Sequence, residues 1–358
     1  MSKKNYIVSL FIPHLGCPND CIFCNQRKIT NYVEVVKKDE IRDEIKSQLA
    51  NFPDKSQEQI QIAFYGGSFT GIEESAMIDY LKIANEFIED GKVRSIRLST
   101  RPDYIDERIL NILKEFNVET IELGVQSMVN SVLDANLRCH NSSCVKISSK
   151  LIKSFGFKLG LQMMTGLYKS TSEMDMYTAE ELIKLKSDFV RIYPTLVIKN
   201  TMLETYTNKN KYIPENLHDS VENSTKIYLK FINANIPVIR LGLLNTDNIK
   251  EGEDVIAGAI HPNYRQLVED NLYRKVVDYI LRGNSPETLE IHVKPNILNN
   301  FVGYNGENKK YFSEKYGLKN IKYCNSDNNF LLINHTNKVD IDLKNIFINI
   351  EKEVSLWD

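Results

Sequence analysis

The chain is short of cysteine, of long apolar runs and of net charge, and each shortage excludes something. Six cysteines in 358 residues do not make the dense framework of a disulfide-stapled secreted domain. The apolar run at 6–12 is closed by Pro13. A bilayer span needs about 20 such residues, and no signal-peptide cleavage pattern comes after it. A cytoplasmic protein with reduced cysteines and no membrane partner is therefore expected. The formal net charge of -2 gives no global attraction to nucleic acid, although a local basic face can hide inside such an average. Internal repeats are absent, so a solenoid array is not in view.

What is present is an ordinary globular composition, 42% hydrophobic and 26% charged, long enough for one large α/β barrel with an extension or for two domains. Strand-like runs at 6–12, 59–65, 94–100, 119–125, 158–164 and 188–193 alternate with amphipathic stretches near 39–50, 73–90, 106–115, 128–154 and 173–186. Such alternation predicts parallel βαβ units. Period-2 reading places Arg97, Ser99 and Arg101 on one face of the third run. Glu122, Gly124 and Gln126 share a face of the fourth, Gln162 lies on the fifth, and Arg191 and Tyr193 on the sixth. Fully buried parallel strands are near-continuously apolar, so this polar face predicts a solvated cavity. The alternative is that some of these residues only cap strand ends. A helix near 220–234, a strand at 236–241, and then short strands around a helix predict a small C-terminal α+β extension. The boundary is placed at 265, giving residues 1–265 and 266–358.

Directly after the first run, PHLGCPNDCIFCNQRKIT contains Cys17, Cys21 and Cys24 in a C-x3-C-x2-C spacing. Three thiolates this close can hold three irons of a 4Fe–4S cube and leave the fourth iron open. The competing reading is structural zinc, which usually takes four Cys/His ligands; no matched second pair exists, and His14 is poorly placed as the fourth. The loop resembles the cluster loop of radical S-adenosylmethionine (SAM) enzymes. With YGGSFTG, STRPDYID, ELGVQS, RIYPTLVIKNTMLE and VIRLGL, the chain resembles the group around the catalytic subunit of Elongator over most of 6–265. It shares general features with the oxygen-independent coproporphyrinogen oxidases.

The resemblance implies a partial (βα)6 TIM-like radical SAM barrel with the cluster loop on the C-terminal rim of the strands. Its implied cofactors are a 4Fe–4S cluster ligated by Cys17, Cys21 and Cys24, and SAM, whose methionyl group chelates the open iron. Reductive cleavage of SAM to a 5′-deoxyadenosyl radical is the implied chemistry, with flavodoxin or ferredoxin as electron donor. Candidate cofactor-binding residues are Phe23, Gly66, Gly67, Ser99, Arg101, Gln126, Gln162 and Arg191; Gly166 falls where the adenine-contacting segment is expected. Asp103 or Asp106 caps the next helix. There are departures. Ser68 stands where the family's Gly-Gly-Glu-type motif is acidic, Arg138-Cys139-His140 where relatives read Arg-Gly-His, and the spacing of the trio is more compact than in Elongator. No acetyltransferase domain is expected.

The substrate stays open between RNA (transfer RNA), by analogy with Elongator, and a small metabolite, tetrapyrrole or peptide. An iron–sulfur or zinc regulatory module is the non-enzymatic alternative. Cys139, His140, Cys144 and Cys324 raise an auxiliary metal as a further reading, against free cysteines that are simply small buried hydrophobes. The stretch 308–323 interleaves Lys309, Lys310, Lys315, Lys319 and Lys322 with Tyr311, Phe312, Tyr316 and Tyr323. That string fits single-stranded RNA, and fits equally a helix with an aromatic inner face and solvated lysines.

Overall fold

The computed structural model describes residues 6–12, 21–25, 38–52, 59–243 and 254–353. Seven strands form one parallel sheet, ordered β1 (Tyr6–Ile12), β2 (Ile60–Gly66), β3 (Ser95–Thr100), β4 (Val118–Gln126), β5 (Lys158–Thr165), β6 (Phe189–Pro194) and β8 (Val238–Leu241). β1 and β8 are its two edges, so the barrel is partial. Alternation along each strand sorts the two faces. Ile96 and Leu98, Ile121 and Leu123, Leu159 and Leu161, and Val190 and Ile192 all join the hydrophobic core. In that same core are Ile45, Leu81, Leu110, Ile152, Leu182 and Phe231, from the helices Lys38–Ala50, Glu74–Glu89, Glu107–Glu115, Ser142–Ser154, Ser172–Lys184 and Leu217–Asn233. The opposite face carries the polar residues 97, 99, 122, 162 and 191.

Local chemistry explains where these helices start and stop. The side chains of Asp106, Asn141, Thr171 and Asn216 each accept the N–H three residues on, from Ile109, Cys144, Met174 and Asp219, which satisfies a donor the helix cannot. Asp106 is thus the cap. Gly91, Asn117, Gly156, Lys186 and Asn235 all have positive φ two residues past a helix end, the left-handed C′ geometry that turns the chain toward the next strand. The expected helical stretch 128–154 is interrupted: helices Asn130–Ala135 and Ser142–Ser154 flank a loop in which Leu137 has φ 55°. A short ribbon not foreseen, β7 (Leu196–Ile198) antiparallel to β9 (Val255–Gly258), comes after β6.

The C-terminal part is α+β. Its sheet runs β11 (Asn320–Asn325), β10 (Thr288–Val293), β12 (Phe330–Ile333), β13 (Asn337–Asp340), with β10 and β11 parallel and the other pairs antiparallel. Residue 265 lies in the first turn of the helix Tyr264–Ile280. Tyr264 and Val268 of that helix belong to the barrel core, whereas Leu272, Val276 and Val277 belong to a second core with Leu289, Ile291, Phe301 and Phe312. One helix therefore serves both parts. Among the described residues no helix is long and apolar enough to cross a membrane.

Inside the barrel, Gly160 pairs with Glu122 on one side and Phe189 on the other. A Cβ there would lie 2.5 Å from the Phe189 ring and 2.9 Å from Glu122 Cγ, and the ring is itself covered by the Arg97 guanidinium at 5.2 Å. Gly160→Ala should therefore lower stability by about 1–3 kcal/mol, read as a lower urea midpoint at unchanged slope. Phe189→Leu in the same chain should restore part of the loss; an unchanged midpoint in the single variant would mean that the ring swings aside freely.

Candidate active site

A carboxylate with no solvent contact sits at the centre of the polar face. Glu122 is 0% exposed, and Arg97 Nη2 and Arg191 Nε reach its oxygens at 2.7 and 2.6 Å. Gln162 Nε2 donates to Glu122 Oε2 at 3.0 Å and to Ser99 Oγ at 3.2 Å. Arg191 also donates to Tyr65 Oη at 3.0 Å and to Tyr193 Oη at 3.5 Å. A buried charge is tolerated only when paired and hydrogen-bonded, and four strands converge to do this. Burial works against the Arg191 charge, yet Glu122 and the two tyrosines hold its pKa above the ordinary value. Burial, then Glu122, pushes the Tyr65 phenol up.

Above this layer the segments just past the strand ends build a rim. Cys21 is buried, and Arg138 Nη1 approaches its Sγ at 3.5 Å while Arg138 Nη2 donates to the Gly124 carbonyl at 2.5 Å. Cys21 thus lies over the C-terminal end of β4. The residues beside it are tied down by backbone: Ile22 N–H donates to Asn136 O at 3.3 Å, Leu203 N–H to Ile22 O at 2.8 Å, and Asn25 Nδ2 to Lys199 O at 2.9 Å. Cys21 and Cys24 are not in disulfides; Cys17 lies outside the described residues. Gly66 (φ 105°) closes β2 and Gly67 is buried behind it. Gln126 ends β4 at φ 68°, and its Oε1 is buried with no donor. A Cβ on Gly124 would meet Gln126 Nε2 at 3.2 Å and Arg138 Nη2 at 3.6 Å.

A third set surrounds Gly166, after β5. Its N–H donates to Asp175 Oδ2 at 2.8 Å, its carbonyl accepts Tyr212 Oη at 2.6 Å, and its φ is 67°. Asn223 Nδ2 links Asp175 and Glu215 at 3.1 and 3.2 Å. Burial pushes Asp175 up to about 7 and raises Glu215 as well. These residues adjoin a cavity of about 300 Å³ lined by Tyr168, Lys169, Lys211 and Glu215 among others. Beside it Phe23, Tyr168, Tyr206 and Tyr212 pack into one cluster with Ile22 and Leu203.

The candidate residues therefore separate. Phe23, Gly66, Gly67 and Gln126 are on or next to the rim, with Cys21 and Cys24. Ser99, Gln162 and Arg191 lie in the layer beneath, around Glu122. Arg101 is 3% exposed and makes a bidentate pair with Asp103 at 2.9 and 2.7 Å. Arg138, Asp175, Tyr212 and Glu215 are further candidate residues that the sequence does not single out. For Arg138 a signal is present as Arg138-Cys139-His140, in which Arg138 and His140 point inward and Cys139 is exposed. For the other three no spacing marks them.

Two further expectations are resolved. In 308–323, Phe312 is fully buried, and the Tyr311 and Tyr316 hydroxyls donate to Asp278 at 2.7 and 2.8 Å. Lys315 and Lys319 pair with Asp278 and Glu287 at 3.1 and 2.7 Å. This is the helix with an aromatic inner face: Phe312 lies in the core and the two tyrosine hydroxyls are committed to Asp278. Cys324 stands on β11 of the C-terminal sheet, whereas Cys139, His140 and Cys144 come after β4, so these four do not form one metal centre.

The fold has counterparts among known proteins. The family described as Radical SAM superfamily matches residues 11–182, and the Radical_SAM C-terminal domain matches 187–274. A tRNA uridine(34) acetyltransferase of Methanocaldococcus jannaschii is 31% identical over 43% of this chain and 29% of its own length. Elongator complex protein 3 of Schizosaccharomyces pombe is 27% identical over 54% of this chain and 41% of its own length. The chain thus spans well under half of these relatives. An uncharacterized M. jannaschii protein is 29% identical over 70% of this chain and 79% of its own length. Among solved structures, the archaeal Methanocaldococcus infernus Elp3 shares the fold with a TM-score of 0.60 at 21% identity, covering 77% of this chain and 64% of that one.

Two measurements probe the site's electrostatics. Glu122→Ala leaves two buried guanidiniums without their carboxylate and should cost about 3–5 kcal/mol. Arg42→Ala, breaking the exposed bidentate pair with Glu86, should barely move the urea midpoint because solvent screens that pair; equal losses by urea titration would refute the buried pairing. His140 is pushed down to about 4 by burial and then by Arg138, so the unfolded chain takes up this proton first. His140's share of the stability should fall as pH drops from about 6.5 toward 4, while Asp175 and Asp270, held up near 7 by burial, contribute the opposite slope between about 4 and 7. The difference between the parent and His140→Gln should therefore shrink as pH falls from about 6.5 toward 4, and an unchanged difference would refute the buried neutral imidazole.

Proposed function

The chain belongs to the radical SAM superfamily, and we propose that it modifies RNA, with transfer RNA as substrate, by hydrogen abstraction at the barrel rim. Members of the superfamily bind a 4Fe–4S cluster and S-adenosylmethionine. The residues present fit both. Cys21 and Cys24 are unbridged thiols at the C-terminal rim, where βα barrels place their active sites. The buried, donorless Gln126 Oε1 leaves an acceptor for a polar ligand. Cys17, Cys21 and Cys24 would hold the cluster, and Gly66, Gly67 and Gln126 would take the cofactor's polar groups. When bound, the pair supplies a 5′-deoxyadenosyl radical by one-electron cleavage, the electron coming from a donor of flavodoxin or ferredoxin type.

The chain's own residues contribute position. Arg138 and the Leu137 carbonyl, 3.8 Å from Cys21 Sγ, fix that sulfur over β4. Asp175 and Tyr212 hold both backbone polar groups of Gly166, keeping the β5 loop in one shape. Phe23 and the tyrosine cluster pack around Ile22 of the loop on the β7 side.

One observation carries the RNA reading. At the lip beside the cluster loop, exposed Lys169 lies over the Tyr168 ring at 5.6 Å and exposed Lys211 over Tyr206 at 5.9 Å. The two rings are themselves 4.9 Å apart. Exposed cations over half-buried aromatic rings suit phosphates and unstacked bases, and the chain's relatives include proteins named for tRNA. A second reading has its own support: a cavity of about 590 Å³ between β1 and β8 is lined by Arg97, Arg191 and Arg240, which favours a small anionic metabolite.

The deciding assay is anaerobic reconstitution with iron and sulfide, then addition of dithionite and S-adenosylmethionine, with 5′-deoxyadenosine as the measured product. Cys24→Ala should abolish it. Bulk transfer RNA should bind, and Lys169→Glu with Lys211→Glu should weaken that binding by about tenfold or more at low salt, while Lys309→Glu with Lys310→Glu leaves it near the parent value. Loss in the second pair only, or no binding at all, would sink the lip and turn attention to the arginine-lined cavity.

A further inference from the structure

The C-terminal sheet has one face packed on its helices and another that carries Glu290, His292, Cys324 and Phe330. His292 and Cys324 are register partners on the parallel strands β10 and β11, and Glu290 is two residues before His292 on the same face. One ligand atom from each of Glu290, His292 and Cys324 lies within 4.8 Å of the other two. Glu290 and His292 are 16% and 21% exposed, and the His292 ring is stacked on Phe330 with centroids 4.4 Å apart, which fixes the imidazole. The β12–β13 turn brings His335 Nδ1 to 3.0 Å from Glu290 Oε1, leaving Oε2 turned toward His292 Nε2 at 3.2 Å.

From this juxtaposition we infer a zinc-type site, with His292, Cys324 and Glu290 as ligands, an open fourth position, and His335 orienting the carboxylate. Zinc bonds of about 2.0–2.1 Å at the tetrahedral angle put nitrogen and oxygen ligands about 3.3 Å apart; the His292–Glu290 separation already matches. A mixed Cys, His and carboxylate set selects a borderline cation over calcium or magnesium, which take oxygen ligands. On binding, the Cys324 thiol releases its proton to solvent. Histidine–carboxylate partnership around a ligand is the usual outer support of such sites. The metal would clip β11, an edge strand, to β10 and hold the β12–β13 turn beside them. Lys322, the register partner of Glu290, is the competing cation on this face.

Cobalt(II) is the probe, titrated without oxygen into the full chain with Cys17, Cys21 and Cys24 replaced by alanine, so that only other thiols can respond. One equivalent should produce a thiolate-to-cobalt charge-transfer band and intense tetrahedral visible bands, and one equivalent of zinc should displace both. Cys324→Ser should remove the charge-transfer band, and Cys324→Asp should remove it while keeping the visible bands. His335→Ala should weaken binding by about tenfold, and Cys139→Ser with Cys144→Ser should change nothing. A parent chain without the band, or a band surviving Cys324→Ser, overturns the site. Should the alanine background fail to fold, zinc content of the cluster-loaded chain against its Cys324→Ser variant answers the same question: a difference of one equivalent supports the site, and equal content overturns it.

Discussion

Glu122 is the constraint on which the barrel depends. A carboxylate with no solvent contact could not remain charged on a strand face unless cations met it, and Arg97 from β3 and Arg191 from β6 do so from both sides. Gln162 from β5 and Tyr65 from β2 complete the set through Glu122 and Arg191. The pairing adds little net stability over an apolar core of equal volume. What it does is fix which face of each strand points inward, because a register slip of one residue would move a charge into the helix-facing core. It also leaves two guanidiniums against one carboxylate, an excess of positive charge beneath the rim.

The rim inherits its geometry from that layer. Gly124 succeeds Glu122 on the same face, and a register shift between Gly124 and Gln126, with Gln126 at φ 68°, ends β4 at the barrel mouth. Gly124 then has no side chain to block Arg138, whose guanidinium spans from the Gly124 carbonyl to the Cys21 sulfur. The cluster loop is held from the β4 side by Asn136 and Arg138 and from the β7 side by Lys199 and Leu203. A loop tethered at backbone level on two sides can keep its thiols in place with little help from regular structure.

The parts legible in the sequence are those set by local pattern. The run at 6–12 matches β1 to the residue, and the next five runs match β2 to β6 within a residue or two at their ends, because one face of each strand carries apolar residues at alternate positions and the breakers between runs are local. The cysteine trio is legible because ligand spacing is itself local. The remainder depends on partners far along the chain. The break at 136–141 comes from no strong breaker; its loop is held by contacts to Cys21 and to Tyr168 O. Arg101 shares parity with Arg97 and Ser99, but β3 has ended, and Asp103 two residues on claims its guanidinium. Asp175 and Glu215 look like ordinary surface acids until Gly166, Ser170 and Asn223 are brought around them. The ribbon β7–β9 is too short for periodicity to register.

The lysine–aromatic stretch at 308–323 shows why composition alone misplaces an interface. Tyr311, Phe312 and Tyr316 sit on the helix Glu307–Tyr316 at spacings that put all three toward the helix Tyr264–Ile280, where Asp278 accepts two phenol hydrogens. Their lysines are left to solvent and to local acids. The lip at Tyr168–Lys169 and Tyr206–Lys211 has no such sequence density; its residues come from two segments about forty positions apart and meet only because the β5 loop and the helix Met202–Asn208 close over the same rim. The Tyr168 and Tyr206 rings are half-buried, as are Tyr311 and Tyr316. What separates the two places is position: the lip lies beside the cluster loop, and the richer stretch is part of the core that anchors the extension to the barrel through one shared helix.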